Sequence, residues 1–308
     1  MNQQKLQKKR ASWLPTYIAL GIIWGASFLF IEKSLTFLTP VGVAFLRCML
    51  GAFSLWIVIF YKKIKVIRDN LLLFQLWILG LLLNVFPGVL FAYAQERASS
   101  ILAGIMNALT PIMSVLMILI VFRNERLSFE KVFGIVLGFL GVVVVLVVGE
   151  PVGQMSLAAI VALLLAVIFY GVSYPFSSKY IIPRKLQPEF LATAQVSLSA
   201  LTLFPFFLYH GIHSYQITID AFLSILALGI LGTGIAYIWN FRNIEMAGPA
   251  LASTVTYLTP LVAVILGLLL LGEPLTWNEP VGGLMVLLGS AIAQGRIRFL
   301  GGSYGSSR

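Results

Sequence analysis

The stretch Asn107-Ala108-Leu109-Thr110-Pro111 recurs 149 residues later as Thr256-Tyr257-Leu258-Thr259-Pro260. Each copy is followed by a short acidic loop, Asn124-Glu125-Arg126-Leu127-Ser128 in the first case and Gly272-Glu273-Pro274-Leu275-Thr276 in the second. The same offset matches Glu96 with Glu245, Ala98 with Ala247 and Leu102 with Leu251. Earlier in each half, an offset of 146 pairs Trp24-Gly25-Ala26-Ser27-Phe28 with Tyr170-Gly171-Val172-Ser173-Tyr174, and Lys33 with Lys179. Chance similarity between apolar segments of biased composition is the competing explanation, and the matched prolines and acidic loops count against it. The chain reads as two copies of one unit.

The medium around that repeat is a bilayer. Hydrophobic residues make up 59% of the 308 and charged residues 10%, with a mean hydropathy of +0.97, where a soluble domain carries roughly 25% charge. A spanning helix needs about 20 apolar residues. Ten candidates lie near 13–32, 41–61, 71–94, 98–122, 132–149, 156–177, 188–209, 220–241, 248–271 and 280–297. The expected fold class is an all-α integral membrane protein with ten transmembrane helices arranged as two inverted five-helix repeats. An odd number of spans per copy turns the second copy upside down, giving a pseudo-two-fold axis in the membrane plane and two bundles that rock about a central site. The expected organisation is an N-terminal segment 1–12, a first repeat 13–150, a second 151–298 and a Gly/Ser-rich tail 299–308. The connections are too short for a soluble nucleotide-binding or catalytic domain, and no G-x-x-x-x-G-K-[ST] loop occurs. The chain is not expected to be an enzyme, nor to carry a cofactor.

A net charge of +10 suggests nucleic acid until its distribution is read. With the loops assigned alternately to two sides, of the 21 basic residues only Lys33 and Arg97 fall on one side and Arg47 within a span. The rest share the other side, as the positive-inside rule requires of cytoplasmic loops. Both termini are therefore expected in the cytoplasm, the protein in the plasma (inner) membrane, and its partners to be the lipid bilayer and a small-molecule substrate rather than nucleic acid. The apolar stretch after Lys5-Leu6-Gln7-Lys8-Lys9-Arg10 is span-length, longer than the 7–15 residues or so of a signal peptide, so it is read as a retained helix. A single cysteine, Cys48, excludes an internal disulfide and reads as packing.

Trp-Gly in helix 1, Arg in helix 2, a small-residue-rich helix 4 with Leu-Thr-Pro, a Glu-x-Leu-Ser/Thr loop and a Gly-rich helix 5, all duplicated, resemble the EamA-type branch of the drug/metabolite transporter superfamily over residues 13–297. The resemblance implies a ten-helix carrier of small polar metabolites, often amino acids, commonly working as an exporter. It implies class, not substrate.

Physical reading of the residues gives a candidate site. Pro111 and Pro260 each remove an amide donor and clash with the carbonyl four residues back, at Asn107 and Thr256. Freed backbone at depth either lines a wet cavity or is met by neighbouring protein groups, so each proline is a gating kink beside a substrate site or a packing kink answered by Thr or Ser. Helical spacing gathers Trp24, Ser27 and Phe28 on one face of helix 1 and Tyr170, Ser173 and Tyr174 on its counterpart in helix 6. Asn84, Gly88 and Phe91 on helix 3 correspond to Thr233, Tyr237 and Asn240 on helix 8. With Asn107, Thr256 and Tyr257, these polar and aromatic groups are the candidate substrate-binding set; interhelical glue is the competing reading for any one of them. Arg47 is the only ionisable side chain well inside a span, roughly 10 Å deep at 1.5 Å per residue. It is either a structural anchor or a recogniser of anions, with Glu32 and Glu96 as candidate partners and Gln195 at its mirror position.

No acid lies mid-span, so the sequence leans toward facilitated diffusion, exchange or protonation at an edge carboxylate. His210 and His213 read as solvated loop rather than a metal site. Gly134, Gly138 and Gly141, mirrored by Gly282, Gly283 and Gly289, form a small-residue surface for close packing within the fold or for a homodimer. The leading expectation is a secondary transporter exporting small polar metabolites by alternating access. The alternative is a lipid-linked flippase or hydrophobic-drug exporter. An intramembrane enzyme fares badly, because no carboxylate pair, His cluster or nucleophile-base set can be assembled.

Overall fold

Inside a bilayer nothing but the protein can meet a backbone N–H or C=O, so apolar segments of this length fold as helices. The computed structural model describes residues 3–122, 128–147, 156–214, 217–248 and 252–297. Its helices are α1 (Gln3–Ser34), α2 (Pro40–Tyr61), α3 (Asn70–Gln95), α4 (Ser100–Val121), α5 (Phe129–Val147), α6 (Leu157–Tyr180), α7 (Pro188–His210), α8 (Ile219–Met246), α9 (Thr254–Leu271) and α10 (Asn278–Ala293). Among the described residues nine helices are long and apolar enough to cross a membrane. The tenth, α10, has 16 residues and so spans only about 24 Å, less than the 280–297 stretch suggested. The described residues contain no strand beyond an isolated bridge between Leu38 and Ile212. The loop residues 123–127 with Glu125, Glu150, Leu251 and the tail 299–308 lie outside the described residues.

Capping residues set several helix starts. Thr39 accepts from the Gly42 amide with Pro40 at the first helical position, Ser99 accepts from Leu102, and Thr218 from Ala221. Asp69 accepts from Leu71 and Leu72 at the start of α3 and pairs with Arg184 at 2.8 Å. The Leu72 amide, helped by the Arg184 guanidinium, holds the Asp69 carboxyl below its usual range.

Contacts between connections sort them into two ends. At one end Arg184 meets Asp69, and Lys62 (2.9 Å) and Arg242 converge on the Glu189 carboxylate; this is the basic end. At the other, far end the Thr39 hydroxyl donates to the His210 carbonyl at 2.7 Å, His213 Nε2 lies 3.2 Å from the Thr36 carbonyl, and Lys33 pairs with Asp220 at 3.3 Å. Glu273 also sits there, accepting from the Ser100 and Ile101 amides at 2.8 and 3.1 Å and from the Ser100 hydroxyl. A loop of the second half thus caps a helix of the first, placing a carboxylate where the helix dipole and its orphan amides favour one. Glu273→Ala is expected to cost about 1–2 kcal/mol, the range of a lost N-cap, read as a lower melting temperature in detergent; Glu273→Gln should recover part of it.

The packing repeats as the sequence does. α2 packs on α7 and α5 on α10, each pair being its own image when the halves are exchanged. α1 against α9 is matched by α6 against α4, and α1 against α8 by α6 against α3. The α5–α10 pair closes through the glycines: a Cβ at Gly289 would lie 2.5 Å from the Gly138 nitrogen and 2.6 Å from the Gly134 carbonyl oxygen, and one at Gly141 2.6 Å from the Gly282 carbonyl oxygen. Most of the glycine stripe is therefore occupied by packing within the fold, although Gly283 meets only Ile105 at 3.7 Å.

One periodic feature has no signature in the residues. π-helical turns interrupt α3 at Leu81–Val85 and α8 at Ile230–Ile235, and end α4 at Ile118–Phe122 and α9 at Gly267–Leu271. Their starts fall at the same spacing as the Leu-Thr-Pro repeat. Each π-turn widens the helix and leaves carbonyls poorly met, and such turns concentrate at functional sites. The two prolines sit at comparable breaks. α4 is interrupted at Ala108–Leu109 between Ser100–Asn107 and Thr110–Met117, and a 3₁₀ turn, Thr254–Tyr257, precedes Leu258–Leu266 in α9. The Thr259 hydroxyl donates to the Thr256 carbonyl at 2.8 Å and the Ser290 hydroxyl to the Ala108 carbonyl at 3.1 Å. At Thr256 the freed carbonyl is thus answered by a neighbouring threonine.

Candidate substrate cavity

Between the two halves lies a cavity to which seven helices contribute. It is lined by Trp24, Ser27, Phe28 and Ile31 of α1, Arg47 of α2, Leu83 and Phe91 of α3, Asn107 and Thr110 of α4, Tyr170 and Tyr174 of α6, Tyr237 of α8 and Thr256 of α9. The cavity they enclose has a volume of about 50 Å³. That is a narrow, nearly closed chamber suited to a small solute.

Two aromatic runs form its walls. Trp24 meets Tyr237 edge to face at 6.0 Å between ring centres, while Phe28 meets Phe91 edge to face at 5.6 Å and Phe91 stacks on Tyr170 at 5.8 Å. The polar tips of the first pair are committed to the π-turns. Trp24 Nε1 donates to the Gly232 carbonyl at 3.2 Å and the Tyr237 hydroxyl to the Leu83 carbonyl at 3.0 Å. The irregular turns therefore fix the rings that wall the cavity, which links a backbone feature to the site. No hydrogen bond from the Tyr170 or Tyr174 hydroxyl to another described residue is present, and both residues line the cavity.

The smaller polar groups are anchored but keep free lone pairs. Ser27 donates to the Ile23 carbonyl at 2.9 Å and Thr256 to the Ser253 carbonyl at 2.8 Å. Asn107 donates from Nδ2 to the Thr259 hydroxyl at 3.1 Å and accepts at Oδ1 from Thr110 at 3.3 Å.

Arg47 is 7% exposed and, among the described residues, supplies the one cationic side chain of the lining. Its Nε donates to Thr233 Oγ1 at 3.1 Å, and Thr233, in the π-turn, in turn donates to the Leu228 carbonyl five residues back, in the α-helical turn before it. Among the described residues no carboxylate lies within ion-pair distance of it. The two acids that sequence suggested are elsewhere: Glu96 pairs with Arg97 at 2.9 Å, and Glu32 opens onto a separate depression at the far end. A buried guanidinium without an anion is costly, by several kcal/mol for an unpaired charge. Its mirror residue, Gln195, is fully buried, and neither of its amide atoms is paired among the described residues.

Of the residues singled out from sequence, Trp24, Ser27, Arg47, Asn107, Tyr170, Tyr174, Tyr237 and Thr256 come together around this cavity. Asn84, Ser173, Asn240 and Tyr257 do not. Asn84 donates to Ser199 at 3.1 Å, Ser173 turns back to the Tyr170 carbonyl at 2.7 Å, and Tyr257 points to Gln294 at 3.4 Å. Asn240 is buried with its Oδ1 unmet among the described residues. Pro111 and Pro260 lie one residue beyond Thr110 and Thr259, in the half-helices that position the lining. Ile31, Leu83 and Thr110 were missed. Ile31 follows Trp24, Ser27 and Phe28 at i+7, a spacing that extends the same face, whereas Leu83 sits in a π-turn that sequence does not reveal. Among the described residues no group of three His, Cys, Asp or Glu side chains could hold a metal ion.

Comparison with known proteins agrees with this architecture. The model of the EamA-like transporter family matches residues 11–147 and again 157–294. An uncharacterized transporter of Archaeoglobus fulgidus is 31% identical over 267 residues, covering 86% of this chain and 92% of the relative. The uncharacterized transporter YdfC of Bacillus subtilis is 25% identical over 286 residues, covering 92% and 91%, and Protein PecM of Dickeya dadantii 24% over 273 residues, covering 88% and 89%. A crystal structure covering 92% of this chain superimposes with a TM-score of 0.67 at 18% identity, a likeness of fold.

Proposed function

The chain belongs to the EamA-like transporter family, and from that premise we propose that it is a secondary transporter exporting a small carboxylate-bearing metabolite, an amino acid or a related compound, by alternating access. Its setting is the plasma (inner) membrane with both termini cytoplasmic, as the basic loops favour. The observation that carries the substrate class is Arg47, a buried guanidinium with no anion beside it among the described residues, in an aromatic chamber. A solute carboxylate would complete it through a bidentate, charge-assisted pair. The faces of Trp24, Tyr170 and Tyr174 would receive the apolar or ammonium part of the same molecule.

The test is transport by purified protein in proteoliposomes against a labelled panel of amino acids and other metabolites, with and without a pH gradient. Saturable movement of a carboxylate-bearing solute is expected. If folded protein moves no member of the panel, the reading fails in favour of a lipid or hydrophobic drug. Trp24→Ala and Tyr170→Ala are each expected to raise the KM of that solute about tenfold, since loss of an aromatic or cation–π contact of about 1–1.5 kcal/mol corresponds to that factor. Unchanged kinetics in both variants would remove the aromatic walls from the site.

A further inference from the structure

Consecutive residues of one π-turn hold the cation and an aromatic wall of the cavity. In Ile230–Ile235 of α8, the Gly232 carbonyl accepts from Trp24 Nε1 at 3.2 Å and the Thr233 hydroxyl accepts from Arg47 Nε at 3.1 Å. Thr233 is fully buried, and both branches of its side chain are committed. A threonine in a regular helix turns its hydroxyl to the carbonyl four residues back; here the partner is Leu228, five back at 3.0 Å, the register of the π-turn. With its hydrogen so used, the oxygen meets Arg47 as an acceptor. The methyl fills the place a side chain at Gly51 would take: a Cβ there would lie 2.9 Å from Thr233 Cγ2 and 3.0 Å from the Gly229 carbonyl oxygen. A β-branched residue pinned at both branches keeps one rotamer.

The same seam occurs in the other half without a charge. Exchange of the halves carries Arg47 onto Gln195, Gly51 onto Ser199, Gly229 onto Gly80 and Thr233 onto Asn84. There the π-turn Leu81–Val85 of α3 meets α7: Asn84 donates to Ser199 at 3.1 Å, and a Cβ at Gly80 would lie 2.5 Å from the Ser199 hydroxyl oxygen. A helix with a π-turn thus packs on its partner through small and neutral residues, so the Arg47–Thr233 bond is not what that packing requires. Arg47 lines the cavity and Gln195 does not. A planar guanidinium can offer a carboxylate its side edge, Nε with one Nη, or its end edge, Nη1 with Nη2. Committing Nε to Thr233 uses the side edge and leaves the end edge.

We infer that Thr233 is a positioning residue for substrate recognition: by holding Arg47 Nε it fixes which edge of the guanidinium meets the solute carboxylate. With Gly232 holding Trp24, one turn also sets the spacing from that edge to the indole. The inference rests on the reading of the chain as a carrier of carboxylate-bearing solutes. An arginine free to turn loses that freedom when a solute binds, whereas one already fixed by its neighbours has lost it on folding, and affinity gains accordingly. Thr233 does not line the cavity and acts through Arg47. Removing its hydroxyl lets the guanidinium turn and weakens recognition of the carboxylate. The Trp24 side of the site, held by the neighbouring carbonyl, keeps its contacts.

Thr233→Val keeps the shape of the side chain and removes the acceptor. In proteoliposomes it is expected to raise the KM of the carboxylate-bearing panel member that the wild type moves fastest about tenfold, the scale of one hydrogen bond to a charged group, with the maximal rate little changed. Thr233→Ser, which keeps the hydroxyl, should restore the KM. Inhibition by the primary amide of the same solute should stay nearly as strong as in the wild type, so the preference for carboxylate over amide falls. With Arg47→Met already in place, Thr233→Val should add nothing, because two residues acting through one contact are not additive. A further loss in that background, an unchanged KM in Thr233→Val, or an equal loss in Thr233→Ser overturns the inference. Magnetic resonance of protein labelled at arginine and threonine, held in lipid, reads the contact with no solute present. The Arg47 Nε–H signal, identified by its absence from Arg47→Met, is expected to exchange slowly with solvent and to show a through-space cross-peak to the Thr233 side chain. Lack of that cross-peak in the wild type overturns the inference whether or not any variant folds. If the wild type moves no carboxylate-bearing solute, the carrier reading fails and the recognition role with it, while the cross-peak still decides whether Thr233 holds the guanidinium.

Discussion

Arg47→Ala is expected to lower transport of the carboxylate-bearing solute by two to three orders of magnitude, and Arg47→Met to do the same while leaving the melting temperature unchanged or higher. The size follows from truncating one partner of a buried, hydrogen-bonded charge pair, which costs about 2–5 kcal/mol, or on the order of 10² to 10³ in an equilibrium or rate. The sign of the stability change follows from the empty structure. Among its described surroundings the guanidinium has one hydrogen bond, to Thr233, and no anion, so the folded protein bears the desolvation of a charge without its compensation. Replacing such a charge by an apolar side chain of similar length is often neutral or stabilising. Arg47→Lys keeps the charge but loses the planar fork and should fall between, about tenfold down. Transport measured in proteoliposomes beside thermal unfolding in detergent separates the two roles of this residue. If Arg47→Met melts well below the wild type and its lost transport tracks lost folded protein, Arg47 is an anchor of α2 on α8, and the solute need carry no carboxylate.

How far this site could be read from residues alone depends on where the helix is regular. On α1 the spacing of Trp24, Ser27 and Phe28 places all three on the cavity wall. On α6 the residues four apart, Tyr170 and Tyr174, both line it, whereas Ser173, three on from Tyr170 and so turned about 60° from it, donates to backbone instead. Asn240 stands in the same relation to Tyr237. Asn84 failed for a different reason: it lies inside the π-turn Leu81–Val85, which changes the angular register between it and Phe91, so the two do not share a face and Asn84 turns toward Ser199. Nothing in Leu81-Leu82-Leu83-Asn84-Val85 marks a π-turn, because its cause is tertiary: the widened backbone is held by Tyr237 reaching the Leu83 carbonyl from the other half. The helices, their number within the short α10, and the grouping of loops into two ends were legible because hydrophobic length and charge placement are imposed by the bilayer itself. The enclosure of the cavity, and the isolation of Arg47 from Glu32 and Glu96, were not, since both are set by which faces of distant helices meet.

Gly289→Leu is expected to abolish the folded protein, and Gly283→Ala to be tolerated, although the two glycines belong to one stripe on α10. A side chain at Gly289 would enter the backbone of α5, 2.5 Å from the Gly138 nitrogen and 2.6 Å from the Gly134 carbonyl oxygen. Neither atom can move without displacing the helix. Overpacking a side-chain core typically costs about 1–3 kcal/mol, and a helix pair whose backbones touch has no side chain to yield, so a larger loss is expected. At Gly283 the neighbour is the flexible end of Ile105 at 3.7 Å, an ordinary contact. Size-exclusion and thermal unfolding of the detergent-solubilised variants read the difference: no monodisperse peak for Gly289→Leu, and a melting temperature within a few degrees of the wild type for Gly283→Ala. The same pair distinguishes what the stripe is for. Were it a surface for a second copy, Gly289→Leu would remain folded and elute at the mass of one chain while Gly283→Ala stayed paired. With α5 and α10 packed on each other as images under exchange of the halves, the contact is instead the seam where the two repeats close, and bulk there breaks the chain's own architecture.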